Sequence, residues 1–309
     1  MKNRSRKHYL VEIGILFLWL TGTACNRGKP AIVFQSDFGL KDGAVSTMKG
    51  VCAEVDPDLK LYDLCHEIPV YNIWEAAYRL QQTAPYWPKG TIFVSVVDPG
   101  VGTDRKSVVL KSKTGHYFVT PDNGTLSLIS EALGIESIRR IDEEFNRRKN
   151  SLTSYTFHGR DVYAYTAARF ASGMISFEEI GELLPDIEVR LSYQRPLIQG
   201  DSILGNIPIL DTQYGNVWTN IADSLLEKLG IRKGDSIAIR IQKNNAVIFA
   251  GTMQYVATFG EVAVKNTLCY INSLMNVSFA LNMDSFSDSF KVQSGAEWNV
   301  VLKENNLGK

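Results

Sequence analysis

The sequence predicts a two-domain α/β protein, with a larger N-terminal domain followed by a smaller β-rich one. Three observations carry that prediction. Short apolar runs alternate with amphipathic helical segments along the N-terminal part of the chain, as they do where helices cover a parallel sheet. Past Pro196 and Gly200 the texture changes to short alternating strands around the turn pair Asn244-Asn245, the signature of hairpins. The 309 residues, 45% of them hydrophobic, suffice for two separate cores. The expected architecture is a Rossmann-like domain with a mostly parallel sheet over residues 30–198, then a β-barrel-like domain over 200–309.

Each element follows from local pattern. Residues 31–35 form a short apolar run, a buried strand that delivers Ser36-Asp37-Phe38-Gly39 at its C-terminal end. Residues 42–55 place Val45, Met48, Val51, Cys52 and Val55 at three- and four-residue spacing, which is one face of a helix. Strands are expected at 59–64, 91–97, 108–110 and 117–120, and amphipathic helices at 72–86 and 160–172. In the second domain, residues 236–241, 246–249, 262–264 and 277–281 read as strands and 221–229 as a helix.

Composition excludes several classes. With 33 basic and 33 acidic residues the chain lacks the basic footprint of a nucleic-acid binder. The 4 histidines show no ligand spacing, so no metal site is expected. Cys52, Cys65 and Cys269 lack CxxC spacing and sit among apolar neighbours, which fits free thiols. The first 25 residues differ from the body: Lys2, Arg4, Arg6 and Lys7 precede an apolar run, then small residues and Cys25. That is the order of a secretory signal, with Cys25 as the lipidation candidate, although Glu12 interrupts the apolar run and Gly22 replaces the usual aliphatic residue. The expectation is an exported protein, periplasmic or at the cell surface, that becomes a membrane-anchored lipoprotein if Cys25 is acylated, or a cytoplasmic one if the signal is not used.

Polar residues cluster at strand ends and turns in 5 places. These are Ser36-Asp37-Phe38-Gly39; Asp98-Pro99-Gly100-Val101-Gly102 with Thr103-Asp104-Arg105; Pro121-Asp122-Asn123-Gly124; Phe157-His158-Gly159-Arg160-Asp161; and Asp211 with Tyr214-Gly215-Asn216. Open α/β sheets bind ligands beyond the carboxyl ends of their strands, so these loops are the candidate site. Taken singly, each has a plainer reading. Pro121 to Gly124 is an ordinary turn, Asp37 a helix cap, Asp161 a charge partner for Arg160, His158 a core histidine and Trp218 a core aromatic.

Taken together, in order and spacing, they resemble the SAM hydroxide adenosyltransferases, the adenosine-forming S-adenosyl-L-methionine (SAM) hydrolases related to the SAM-dependent halogenases. The resemblance implies a catalytic Asp98, Arg105 and His158, with Asp37 on the ribose hydroxyls. It further implies Asp211 on the methionine amino group, Asn216 on the adenine, Ser273 on the methionine carboxylate, and the backbone near Asn282 and Met283 on the adenine. It implies no cofactor, SAM being the substrate, and a homotrimer whose sites lie between the sheet domain of one subunit and the β domain of its neighbour. Two positions depart from the pattern: Ala44, where relatives carry an aromatic or hydroxyl residue, and Leu274, where the halogenases carry arginine.

The chemistry suits those residues. A sulfonium is a good leaving group, so attack at the 5′ carbon needs chiefly a nucleophile held in line. Arg105 is permanently cationic and stabilises developing hydroxide charge, while His158 orients the water or accepts its proton and Asp98 fixes their geometry. The halogenases lack this His and Arg, so the sequence favours water over halide. Two alternatives stay open: a chloride-using transferase, and a non-catalytic lipoprotein that binds a nucleoside or SAM.

Overall fold

A computed structural model of the chain describes residues 28–98, 100 and 103–304. The expected leader and Cys25 lie outside the described residues. The first sheet begins with β1 (Ala31–Ser36), α1 (Ala44–Val55), β2 (Lys60–Cys65), α2 (Ile73–Thr83) and β3 (Ile92–Val96). It continues with β4 (Ser107–Ser112), β5 (Tyr117–Pro121), α3 (Ser127–Leu133), β6 (Ile135–Arg140), a π-helical turn at Gly159–Ala164, α4 (Tyr165–Ala171) and β7 (Leu183–Leu184). The second sheet is built from β8 (Leu197–Gln199), β9 (Ser202–Asn206), β10 (Ile209–Asp211), β11 (Asn216–Ala222), α5 (Asp223–Lys228) and β12 (Ser236–Lys243). It closes with β13 (Ala246–Tyr255), β14 (Thr267–Ile271), β15 (Asn276–Leu281), α6 (Phe286–Phe290) and β16 (Trp298–Glu304).

The chain is thus a mixed α/β protein with two large sheets. The first has the order β2-β1-β3-β5-β4-β6-β7. The expectation of a mostly parallel sheet needs correction: only the β2-β1-β3-β5 half is parallel, and β4, β6 and β7 pair antiparallel. The cause is the short turn between Ser112 and Tyr117, which can join only antiparallel neighbours, whereas a parallel pair needs a long crossover. Apolar side chains of β1 and β3 alternate between two cores. Ile32, Phe34, Ile92 and Val94 pack under α1 and α4, while Val33 and Phe93 pack with Leu80, Phe118 and Ile129 on the α2 and α3 side. Burial on both faces is why these strands read as unbroken apolar runs.

The second sheet has the order β10-β11-β15-β14-β13-β12-β16-β9-β8. It is antiparallel except for β13 beside β14, and its order is an open one rather than a hydrogen-bonded closure. It curls, however, so that Asn220 of β11 accepts a 2.7 Å hydrogen bond from the Asn206 amide at the end of β9. The Asn244-Asn245 turn joins β12 to β13 with both residues at positive φ, 47° and 68°, the requirement of a tight type I′ hairpin. Residues 262–264, expected as a strand, instead follow a 3₁₀ turn at Phe259–Glu261, with Val264 exposed and Lys265 at positive φ.

Asn206 links the strands of this curl. It is fully buried and its side-chain amide donates to the carbonyls of Gly295 at 2.8 Å and Trp298 at 2.7 Å. Asn206→Ala removes one of the two bonds to each carbonyl, which keep those from the Trp298 and Ile207 amides, and costs about 1 kcal/mol. A lower urea midpoint with an unchanged m-value is the expected result; an unaltered midpoint would remove Asn206 from this role.

Candidate active site

Neighbouring parallel strands bring the first two motif loops together. Ser36 of β1 is in register with Val96 of β3, so Asp37 and Asp98 emerge side by side at the carboxyl edge of the sheet. Asp37 does not cap α1, whose N-cap is Gly43 without a side-chain bond; Asp42, just before it, accepts from the Ala44 amide at 2.8 Å. Asp37 instead accepts from the backbone of Tyr71 at 2.8 Å, and Tyr71 has φ 66°. Beneath the loop, Ser36 Oγ lies 2.7 Å from His66 Nδ1, and His66 Nε2 lies 3.0 Å from Asp63. The Gly39 amide also donates to the His66 carbonyl at 2.7 Å. A buried histidine thus anchors the Asp37 loop on the end of β2.

The Pro121 to Gly124 segment acts as a strut. The Asn123 side-chain amide donates to the Val97 carbonyl at 2.8 Å, immediately before Asp98, and its Oδ1 accepts from Thr125. Asp122, buried, accepts from the amides of Glu188 and Val189.

Asp98 has a nearly fully buried side chain. Its Oδ1 accepts from the Gly100 amide at 2.7 Å, and its Oδ2 stands 3.2 Å from Arg105 Nε. That contact is an ion pair rather than a hydrogen bond, so the buried Oδ2 keeps an unused acceptor. The Arg105 side chain is 31% exposed and opens onto a cavity of about 720 Å³, lined also by Lys106, Arg140 and Glu143.

His158 reaches this edge from the loop before the π-helical turn. The turn packs close to β3: a Cβ on Gly159 would stand 3.0 Å from Val96 and 3.2 Å from Met48. Phe157 meets Phe38 edge-on at 5.6 Å, tying the His158 loop to the Asp37 loop. The imidazole is buried. Its Nε2 lies 3.2 Å from Glu143 Oε2 and 3.1 Å from Arg147 Nη2, whereas its Nδ1 has no hydrogen-bond partner. Glu143 accepts bonds from Ser107 at 2.6 Å and Arg147 at 2.8 Å. Burial would raise its pKa, but the contact with His158 and the bonds from Ser107 and Arg147 outweigh that and hold it near 2, against an ordinary 4.5. Tyr163 stands between the two halves of the cluster, 6.3 Å ring to ring from His158 and 3.2 Å from Ser107 Oγ. Its pKa is pushed up by burial first, and it also feels the charges of Glu143, Asp98 and Arg105. Asp161, by contrast, serves Arg160 through two 2.8 Å bonds.

The C-terminal motif residues form a separate cavity of about 810 Å³. It is lined by Asp211, Tyr214, Gly215, Asn216, Asn282 and Met283 among others, and by none of Asp37, Asp98, Arg105 or His158. Asn216 donates to Asp211 Oδ2 at 3.3 Å, and Gly215 at φ 69° presses on Ser285, where a Cβ would meet Oγ at 2.0 Å. Met283 sits at φ 60° on the rim, largely exposed. Trp218 is not part of this wall; it packs with Tyr78, Leu128 and Ile209 between the sheets. Ser273 is elsewhere too, lining a cavity of about 560 Å³ with Asp63, Arg79 and Leu274. Within one chain, therefore, Asp37, Asp98, Arg105 and His158 share the carboxyl edge of the first sheet. Asp211, Asn216 and Met283 share a second place, and Ser273 stands apart from both.

Glu143, Arg147, His66 and Tyr71 were not singled out from sequence. Glu143 and Arg147 lie in a charged stretch that reads as a solvated loop, and only the fold buries them. His66, in Asp63-Leu64-Cys65-His66, sits at a strand end like the recognised motifs, and that position was the available signal.

Residues 32–181 match the SAM hydroxide adenosyltransferase N-terminal domain and residues 205–299 match the C-terminal domain of that family. The chain is 34% identical over 274 residues to an (R)-S-adenosyl-L-methionine hydrolase of Methanocaldococcus jannaschii, covering 87% of this chain and 95% of that protein. It is 27% identical over 311 residues to a fluorinase of Nocardia brasiliensis, covering 91% and 99% respectively. Among solved structures, an uncharacterized conserved protein from Thermotoga maritima aligns with a TM-score of 0.79 at 32% identity, over 88% of this chain and all (100%) of the other.

Because the Glu143 carboxyl is held below its ordinary value, it stabilises the fold fully above about pH 4.5, and the contribution disappears as pH falls through about 2. Urea unfolding across that window should show a decline that Glu143→Gln lacks. Parallel curves for the two proteins would contradict the assignment.

Proposed function

This chain belongs to the SAM hydroxide adenosyltransferase family, and on that footing we propose that it hydrolyses S-adenosyl-L-methionine to adenosine and L-methionine by way of Asp98, Arg105 and His158. It is an enzyme, and SAM is its substrate. The carrying observation is a pair of buried, unused polar atoms, Asp98 Oδ2 and His158 Nδ1, at the same sheet edge as a partly exposed guanidinium. Asp98 Oδ2 has only its ion pair to Arg105 and His158 Nδ1 has no hydrogen bond, a costly state for buried polar atoms, and a ligand that brings a water molecule supplies the bonds both lack.

In this reading the substrate places its 5′ carbon over that edge. Asp37, already oriented by the Tyr71 amide, takes the ribose hydroxyls with its carboxylate. Water is held by Asp98 and His158, and Arg105 stabilises the negative charge that grows on oxygen as the carbon–sulfur bond lengthens. The parallel β2-β1-β3-β5 half then serves as the Rossmann-like crevice, with the ligand beyond its strand ends. A halide has no proton to give up, so a buried histidine with a free nitrogen favours water as the nucleophile. The hydrolase relatives' names specify the (R)-sulfonium form, so both epimers belong in the assay.

The adenine and methionine contacts at Asp211, Asn216, Ser273 and Met283 belong to the same reading. Their separation from Asp98 within one chain supports a site completed by the β-rich half of a neighbouring subunit, as in a homotrimer.

His158→Ala and Arg105→Ala should each lower kcat by about a hundredfold or more while SAM affinity, by calorimetry, changes only a few fold. Unchanged turnover in both would end the assignment. Mixing His158→Ala subunits with Asp211→Ala subunits should restore about a quarter of wild-type activity if a neighbour completes each site. No recovery in a mixture shown to have exchanged subunits would place the whole site within one chain.

A further inference from the structure

Between β6 and the π-helical turn the chain buries a guanidinium. Arg147 is almost fully buried, whereas Arg148 beside it stays partly exposed with Glu54. The backbone is pinned on both sides of Arg147. The buried Asn146 side chain donates to the Ile180 carbonyl at 2.9 Å, and the Arg148 amide donates to the Asp161 carbonyl at 2.8 Å. The guanidinium lies over the Tyr155 ring at 4.7 Å. Its Nη2 is 2.8 Å from Glu143 Oε2 and 3.1 Å from His158 Nε2. The other oxygen of Glu143 accepts from Ser107 of β4 at 2.6 Å, so the carboxylate that aims Arg147 is itself fixed.

The chemistry of arginine decides the direction of the contact with His158. A guanidinium only donates, and it keeps its proton at any ordinary pH. His158 Nε2 is therefore the acceptor, with its lone pair toward Arg147. Nε2 also lies 3.2 Å from Glu143 Oε2, but a ring proton placed there would face the hydrogens of Nη2. A neutral imidazole with a lone pair on one nitrogen carries its proton on the other. That other nitrogen is Nδ1, the buried atom without a hydrogen-bond partner.

Resting on the hydrolase reading, we propose that Arg147 is a positioning residue of this reaction: by donating to Nε2 it fixes the Nδ1–H form of His158. His158 then orients the attacking water as a donor, and the proton of the water goes to Asp98.

The step balances. The water oxygen accepts from Nδ1–H through one lone pair and attacks the 5′ carbon with the other. Its O–H bond toward Asp98 breaks, and the proton passes to Oδ2, the acceptor left unused by the fold. The carbon–sulfur electron pair returns to sulfur, which becomes the neutral thioether of methionine. As Asp98 is neutralised, the Arg105 guanidinium 3.2 Å away loses its counter-charge and is left to the oxygen. Arg105 opens onto a cavity, so the proton on Asp98 has a way to solvent once the products leave. A halide can accept from Nδ1–H but has nothing to give Oδ2, so this pair of atoms selects water.

The test uses the full chain, with the folding of every variant checked by circular dichroism. Nitrogen-15 spectra of the histidines, with His158 assigned by the signal lost in His158→Ala, read the ring proton without turnover. A proton on Nδ1 is expected, and a proton on Nε2 overturns the proposal. Arg147→Met removes the donor, so the ring proton should move to Nε2, where it faces Glu143. Its kcat should fall by about ten- to a hundredfold with KM little changed. Arg147→Lys keeps a donor and should recover part of the rate. In a His158→Ala background Arg147→Met should cost less than about twofold further, because Arg147 acts through the ring. A wild-type rate in Arg147→Met, or an equal loss with and without His158, would overturn the role of Arg147. Asp98→Asn keeps the shape of the side chain without its basicity and should lower kcat at least as much as His158→Ala does. A smaller loss would overturn Asp98 as the proton acceptor. Failure of the wild-type chain to release adenosine from SAM would count instead against the hydrolase reading, and the ring-proton measurement is independent of it.

Discussion

Charge held out of water at the carboxyl edge of one sheet is the constraint that organises this molecule. Asp98, His158 and Arg147 have almost fully buried side chains, and such groups are tolerated only when paired and hydrogen-bonded. Much of the first domain supplies that pairing. The Asn123 strut fixes the backbone before Asp98, Ser107 of β4 bonds Glu143, and the His66 network braces the Asp37 loop. Among the buried polar atoms left without hydrogen bonds, which also include Arg147 Nη1, His158 Nδ1 and Asp98 Oδ2 lie beside the motif loops and are where chemistry is to be expected. An unpaired buried group that the fold retains is better explained by function than by stability.

The parallel half of the sheet makes the arrangement available. Adjacent strands running the same way bring their C-terminal loops to one edge. Residues far apart in sequence, Asp37 and Asp98, therefore become neighbours by following the paired Ser36 and Val96. The π-helical turn after His158 contributes a different geometry, packing so tightly on Val96 and Met48 that Gly159 has no room for a side chain without a shift. The second domain builds its own cavity from a tight loop and a strand end, with Gly215 against Ser285.

Local pattern made much of this legible. The apolar runs of β1 and β3, the helical spacing of α1 and the Asn244-Asn245 hairpin are all encoded within a few residues of themselves. What stayed hidden depends on long-range packing. The strand at β4 was legible but its antiparallel pairing was not, and short elements such as β7 and α6 carry too few residues for a periodic signal. Val262 to Val264 look like strand residues but lie next to Lys265, whose positive φ turns the chain. The motif residues could be named as polar groups at strand ends. Glu143 and Arg147 could not, because an Asp-Glu-Glu stretch followed by arginines reads as a solvated surface until tertiary structure buries it.

Mass spectrometry of the products formed from SAM in oxygen-18 water tests hydrolysis at the 5′ carbon most directly. Adenosine carrying the label on its 5′ oxygen, released together with unlabelled methionine, is the predicted result. Halogenated deoxyadenosine in the presence of chloride, or SAM recovered bound and intact, would contradict it.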